Sequence, residues 1–397
     1  MNAEINWNEI HLLVSNLAES FDHTWRKRKR KIGTGFLIIF LMKLCFSRSQ
    51  SGYQIILDEM CAALKESGLI PPSEKPVVSS SVCAARKKLD PIIIHQMNRE
   101  LADSFLSLNH DSFRWNGRRL FIIDGSTLHL PPTLKAEGFG IMNPKMPYPQ
   151  GKLSVLLHAE SGIAIDILLD NKGNERELAK THLQALLPED VVLYDRGYYG
   201  YALAKKHIQL GIDAIFRMPS SGCAKAIQEF IDSPKKPSNA VVSIQPPPLQ
   251  IGKARKMNQN IEQESINLKI IRYFIDENEY IIATTILESK ITPIEFGEVY
   301  HKRWGIEEHY KAAKGFLTLE FFHSKSLRGV LQEIYTAELL LTMSRLVAIE
   351  TESINSIQRE SQKKARLLAS QLVVRIFSRL KAREQTLQKI SVSKTSM

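Results

Sequence analysis

The sequence predicts an α/β protein: a mixed sheet covered by helices, preceded by an all-helical region and followed by a helical tail. Three observations carry that expectation. Apolar residues recur at helical spacing through roughly the first hundred positions. Short continuous apolar runs, typical of strands covered on both faces, replace that pattern near Arg118. Helical spacing then returns from about Pro293.

Residues 1–105 read as a helical region, on the spacing of Ile10-Leu13-Val14-Leu17, Tyr53-Ile56-Leu57-Met60 and Ile94-Met97-Leu101-Phe105. The apolar stretch Phe36 to Phe46 is broken by Lys43 and is too short to span a bilayer, so a buried helix is expected there. Pro71, Pro72 and Pro76 interrupt the pattern. Ser79-Ser80-Ser81 then offers N-caps for a short helix, Val82 to Leu89. That helix carries Arg86, Lys87 and Lys88, the candidate DNA contacts of a groove-reading element.

Residues 106–345 form the next region. Leu120-Phe121-Ile122-Ile123 is an apolar strand ending at Asp124. Leu153 to Leu157 and Ile163 to Leu169 read as a hairpin turning at Glu160-Ser161-Gly162. An amphipathic helix, Glu175 to Leu187, leads to Val191-Val192-Leu193-Tyr194 and a second strand-end acid, Asp195. A β-rich insertion follows at about 220–289, with strands at Val241 to Ile244, Leu268 to Phe274 and Tyr280 to Thr284. Residues 346–397 are a basic helical tail, holding ten Lys or Arg between Arg359 and Met397 against Glu360 and Glu384 alone.

Lys plus Arg number 53 against 42 Asp plus Glu, a net charge of +11 and a pI near 9.3, which favours a polyanionic partner. That excess, with the six cations Arg26 to Lys31, argues against a hydrolase of small metabolites. Four scattered cysteines without a Cys-x-x-Cys pair exclude a disulfide framework and a thiolate zinc site.

Two buried strands each delivering an Asp, with Gly close behind, give hard oxygen donors suited to Mg²⁺. Further on, Tyr300, Arg303, Glu307 and Lys314 fall within about 60° of one helix face at ~100° per residue. That stripe sets one carboxylate among a guanidinium, an ammonium and a phenol, which suits metal and phosphate together. An ordinary i, i+4 surface pair between Arg303 and Glu307 is the plainer alternative on spacing alone.

The stripe matches a Tyr-x2-Arg-x3-Glu-x6-Lys pattern, and Asp124-Gly125-Ser126-Thr127 and Asp195-Arg196-Gly197-Tyr198 precede it in order. Together they resemble the DDE transposases of bacterial insertion-sequence family four, over about residues 118–345. The resemblance implies a ribonuclease-H-like core in which Asp124, Asp195 and Glu307 are catalytic and hold two Mg²⁺ ions, with Mn²⁺ as an alternative. It implies Tyr300, Arg303 and Lys314 as phosphate contacts. It further implies cut-and-paste transposition on double-stranded transposon ends and target DNA, by a homodimer in the bacterial cytoplasm and nucleoid, with no membrane partner. A DNA-binding remnant would have lost a carboxylate, and this chain keeps all three. Where relatives stack a flipped base on a Trp in the insertion, this chain has none there, leaving Tyr273, Phe274 or Tyr280. Asp166 is expected to face solvent, Glu175 to open a helix, His301 and His309 to lie at the surface, and Trp304 to anchor a core.

Overall fold

A computed structural model describes residues 7–25, 31–46, 52–68, 70–109, 112–247, 264–275, 277–288 and 290–354 of the 397. The six-cation run, save Lys31, and the basic tail beyond residue 354 lie outside the described residues. Two compact units share the chain: one draws on Met1–Asn109, His129–Gln150 and Tyr310–Met397, the other on His110–Leu128 and Gly151–His309. A linear division at 105 and 345 does not anticipate this interleaving.

The first unit opens with α1 (Trp7–Trp25), α2 (Thr34–Phe46), α3 (Tyr53–Glu66), α4 (Ser79–Arg86) and α5 (Pro91–Leu108). Leu37 to Met42 and Leu44 are at most 2% exposed, so the apolar α2 is a core helix, and no described helix is long and apolar enough to cross a membrane. Asp90 caps α5 by accepting from the Ile92 N–H, with Pro91 in the first turn, where its missing N–H costs nothing. The serines do not cap α4. Val78 holds the N-cap position and Ser79 opens the helix.

The second unit is built on one eight-stranded sheet. Its members are β1 (Leu120–His129), β2 (Gln150–His158), β3 (Ile163–Asp170), β4 (Val191–Tyr194), β5 (Asp213–Arg217), β6 (Asn239–Ile244), β7 (Ile266–Ile275) and β8 (Asn278–Thr284). Helices α6 (Glu175–His182), α7 (Tyr201–Leu210) and α8 (Lys225–Ile231) connect them. The strand order is β3-β2-β1-β4-β5-β8-β7-β6. β1, β4 and β5 run parallel, and β2–β3, β5–β8, β8–β7 and β7–β6 are antiparallel. The β-rich insertion therefore extends the main sheet through β8 and is not a separate layer. β5, too short and too close to a helix to stand out in the sequence, is what makes that junction.

Leu120, Phe121, Ile122 and Ile123 are at most 1% exposed. Each such side chain contributes about 1.5–3 kcal/mol of burial, which fixes the register of β1. The strand runs on to His129, so Asp124 lies within β1 and does not end it.

Asp166 is not a solvent-facing residue. It is 7% exposed, because α6 covers that face of β3, and its carboxylate meets His182 Nδ1 at 2.7 Å. His182 Nε2 lies 3.0 Å from Ser154 Oγ. The Ser–His–Asp order resembles a nucleophile relay, but Ser154 and His182 have no solvent exposure, so the trio pins α6 to the sheet.

The remaining helices are α9 (Pro293–His301), α10 (Gly305–Lys311) and α11 (Leu327–Ile354). Thr292 and Glu295 form a reciprocal capping box at the start of α9. In the first unit α11 packs on α5 and α2, with Leu339, Leu340 and Met343 buried.

Candidate active site

Parallel pairing of β1 with β4 puts Phe121 beside Val192 and Ile122 beside Leu193. Asp124 and Asp195 each lie two residues beyond that last pair. Adjacent strands are ~4.8 Å apart, so two acids at equal offset become neighbours. Asp195 leaves the sheet in a tight turn, the Tyr198 N–H bonding its carbonyl at 3.1 Å. Behind it, Tyr194 is fully buried and its hydroxyl lies 2.8 Å from His207 Nε2.

The Asp124 carboxylate accepts the Gly125 N–H at 2.8 Å. Its pKa is nonetheless pushed up to about 6, first by burial, with Glu175 and Asp195 adding to the rise and Gly125 and Arg303 opposing it. Arg303 is 6% exposed and stands between two acids: Nη2 donates to Glu307 Oε1 at 2.9 Å, and Nη1 lies 3.7 Å from Asp124 Oδ2. Burial opposes the guanidinium's charge, but Tyr300, Asp195, Glu307 and Asp124 outweigh it and hold the charge in place. The i, i+4 pair of Arg303 and Glu307 is therefore half-buried and built into an acidic centre, unlike a surface pair worth little.

Tyr300 departs from the expected phosphate contact. It is 4% exposed, and its hydroxyl donates to the Tyr194 carbonyl at 3.2 Å, just ahead of Asp195. Here it ties α9 to the end of β4. The single helical stripe is also interrupted. A 3-10 turn, Lys302–Trp304, separates α9 from α10, and a π turn, Ala312–Phe316, carries Lys314. The tighter 3-10 turn and the wider π turn both shift the phase, so spacing computed for a regular α-helix does not extend to Lys314. Lys314 belongs to the first unit, where its ammonium lies 3.6 Å from Glu320.

Arg86 is corrected most clearly. It is 6% exposed, its Nη2 meets Glu333 at 2.9 Å and the Gly329 carbonyl at 3.1 Å, and Gln332 accepts from its Nε at 3.0 Å. A buried guanidinium whose hydrogen bonds go to α11 and to Tyr53 is not available to DNA. Lys87 and Lys88 stay exposed. Trp304 is 57% exposed and stacks loosely on His301, because the 3-10 turn faces it outward, while His309 is 8% exposed. Tyr273 is buried against Tyr280, which leaves Phe274, 57% exposed, as the open aromatic face on β7.

Sequence reasoning left Glu175 as a helix opener and missed Lys152. Glu175 and Lys152 pair at 2.9 Å directly beside Gly125. Neither sits in a motif, and their separation along the chain hides the meeting.

The transposase DDE domain family matches residues 115–343. The chain belongs to that family. Its two strand-borne acids and the Arg303–Glu307 pair all fall inside the matched span. Comparison with curated protein sequences finds no match. A solved structure of a piggyBac transposase in a synaptic complex with hairpin DNA aligns at a TM-score of 0.49 and 10% identity, covering 95% of this chain and 79% of that chain. That likeness is too distant to bear on this DDE transposase's chemistry. Among the described residues, no group of three or more His, Cys, Asp or Glu is gathered closely enough to hold a metal ion.

Proposed function

We propose that this DDE transposase is a cut-and-paste enzyme of the insertion-sequence family four type, cleaving transposon ends and joining their 3′-hydroxyls to target DNA. The observation carrying this is the equal offset of Asp124 and Asp195 beyond a parallel strand pair, with Arg303 linking Asp124 to Glu307. The order β3-β2-β1-β4-β5 with an antiparallel hairpin before two parallel strands supports a ribonuclease-H-like core. All three acids offer hard oxygen donors, the type a divalent cation takes. Asp124, Asp195 and Glu307 would hold Mg²⁺ or Mn²⁺, two ions in the family's manner. Bound there, the metal supplies Lewis acidity and charge neutralisation at phosphorus.

The chain's own groups supply the rest. Arg303 neutralises Asp124 and Glu307 and would offer a guanidinium fork to a phosphate beside them. Tyr300 keeps Asp195 in register through Tyr194. Double-stranded DNA is the partner, met outside the acids by Lys87 and Lys88, and a homodimer is the assembly that pairs two ends. Residues 1–105 take the end-recognition role, 106–345 the chemistry, and the tail an accessory one.

The test is Mg²⁺-dependent cleavage of DNA bearing the element's ends by the wild type and Glu307→Gln, with binding followed by gel shift. Cleavage should fall by about 10³-fold or more in the variant while binding persists. Equal cleavage in both removes Glu307 from the site, and binding without cleavage in either leaves a DNA-binding protein.

A further inference from the structure

The connection from β1 to β2 exposes every residue from 140 to 148, and it does so on a fixed frame. A 3-10 turn, Pro132–Glu137, opens it, with Leu134 and Phe139 buried. Two backbone bonds close its base: the Leu130 N–H donates to the Pro149 carbonyl at 2.9 Å, and the Gln150 N–H to the Gly140 carbonyl at 2.8 Å. The buried Gln150 side chain accepts the Asn143 N–H at 2.7 Å. Asn143 shapes the tip, its carbonyl accepting the Met146 N–H at 2.9 Å and its side-chain oxygen the Lys145 N–H at 3.1 Å. Pro144, Pro147 and Pro149 fix φ at three more positions. The loop is already ordered, so little backbone entropy is left to lose when a partner meets it.

What this frame holds outward is apolar. Ile141 is 47% exposed, Met142 37%, Met146 38% and Tyr148 51%. A run of exposed apolar side chains marks a surface that another molecule covers. Charge says which molecule. No acid occurs between Glu137 and Glu160, and Lys145 stands exposed at the tip. An apolar tip with a cation and no anion suits a polyanion that has apolar faces inside it. Duplex DNA is built that way, with phosphates outside and stacked bases within. Ile, Met and Pro are side chains that open a base step when inserted, and an aromatic ring stacks on a base so exposed. A second copy of the chain, carrying the same charge of +11, is the poorer fit.

We propose that the 140–148 loop is a DNA wedge, with Met146 and Tyr148 entering a base step of duplex DNA and Lys145 on an adjoining phosphate. The proposal rests on the reading of DNA as the partner, and it adds a contact separate from Lys87 and Lys88. Those lysines would hold the backbone whatever its sequence, whereas the wedge favours steps that unstack readily.

The experiment compares binding of the full chain to two fluorescent duplexes of one sequence, one fully paired and one with an unpaired step at its centre, by anisotropy. Opening a paired step costs unstacking energy that the unpaired step has already lost, so the wild type should bind the second about 10-fold more tightly. Met146→Ser combined with Tyr148→Ser should bind both duplexes alike, with thermal stability unchanged because both side chains lie in solvent. Tyr148→Phe should keep the preference, since the ring face and not the hydroxyl stacks. Lys145→Ala should weaken both complexes equally and reduce the salt slope by about one. Equal binding of the two duplexes by the wild type, or a wild-type preference kept in the double variant, overturns the wedge while DNA remains the partner. A double variant that sediments as a smaller species than the wild type yet keeps the preference makes the loop a contact between copies, which also overturns it. No binding of either duplex by the wild type fails the DNA reading itself, and this proposal with it. Should the double variant not fold, Tyr148→Ala beside Tyr148→Phe decides: preference lost only in the first supports the wedge, and kept in both overturns it.

Discussion

His207 faces the Ile212 carbonyl through Nδ1 at 3.1 Å and the Tyr194 hydroxyl through Nε2 at 2.8 Å. A carbonyl only accepts, so Nδ1 carries the proton and Nε2 takes the hydroxyl's. The neutral ring fits both bonds, and burial lowers its pKa to about 4. His158 behaves alike, lowered to about 3 by burial and then by Arg119. Both contributions to stability are complete above pH ~6.5, the unfolded value. As pH falls from there the unfolded chain takes up protons the native one refuses, costing about 1.4 kcal/mol per unit for each ring until its folded pKa. Chemical denaturation between pH 7 and pH 5 should show that slope, and His207→Gln should lose its share. An unchanged slope would mean His207 is protonated in the native protein.

Individual elements are docked by polar contacts that their own sequences do not advertise. In the first unit, α4 is fastened to α11 by Arg86, which meets Glu333, Gln332 and the Gly329 carbonyl, while Tyr53 of α3 hydrogen-bonds the same guanidinium. Removing one partner of a buried ion pair strands the other, at a cost of about 3–5 kcal/mol. Arg86→Ala should therefore lower the unfolding free energy by that order in urea titration, whereas Lys87→Ala should change it by less than ~0.5 kcal/mol. A small loss for Arg86→Ala would return that residue to the DNA surface. The basic texture of Arg86-Lys87-Lys88 suggested one DNA-facing stripe because charge is visible in a sequence and burial is not. Helical phase separates them: Arg86 turns inward with Val82 and Leu89, and the lysines turn out.

For the whole molecule, the excess of 53 basic over 42 acidic residues gives the strongest ionic-strength prediction. DNA affinity should fall steeply and log-linearly with salt, and each lysine that truly meets a phosphate should reduce the slope by about one when removed. Fluorescence anisotropy of Lys87→Ala and Lys88→Ala over a KCl series reads this directly. A wild-type slope kept in both would place the DNA face elsewhere.

The sequence by itself determined the α/β class, most strands of the sheet and the two acids mounted on β1 and after β4. Buried strands must be continuously apolar, and a charged residue at the close of such a run stands out against it. The DDE transposase family was legible too, from three acidic motifs in order along the span that the family matches. Only the tertiary structure decided what surrounds those acids. Glu175 and Lys152 reach Gly125 from α6 and β2, Asp166 is buried by α6, and the π turn breaks the helical phase before Lys314. The physical reason is common to all three. Hydrophobic periodicity is local and survives in one dimension, whereas ion pairs and close backbone approaches depend on strand order and helix docking, which bring distant residues together.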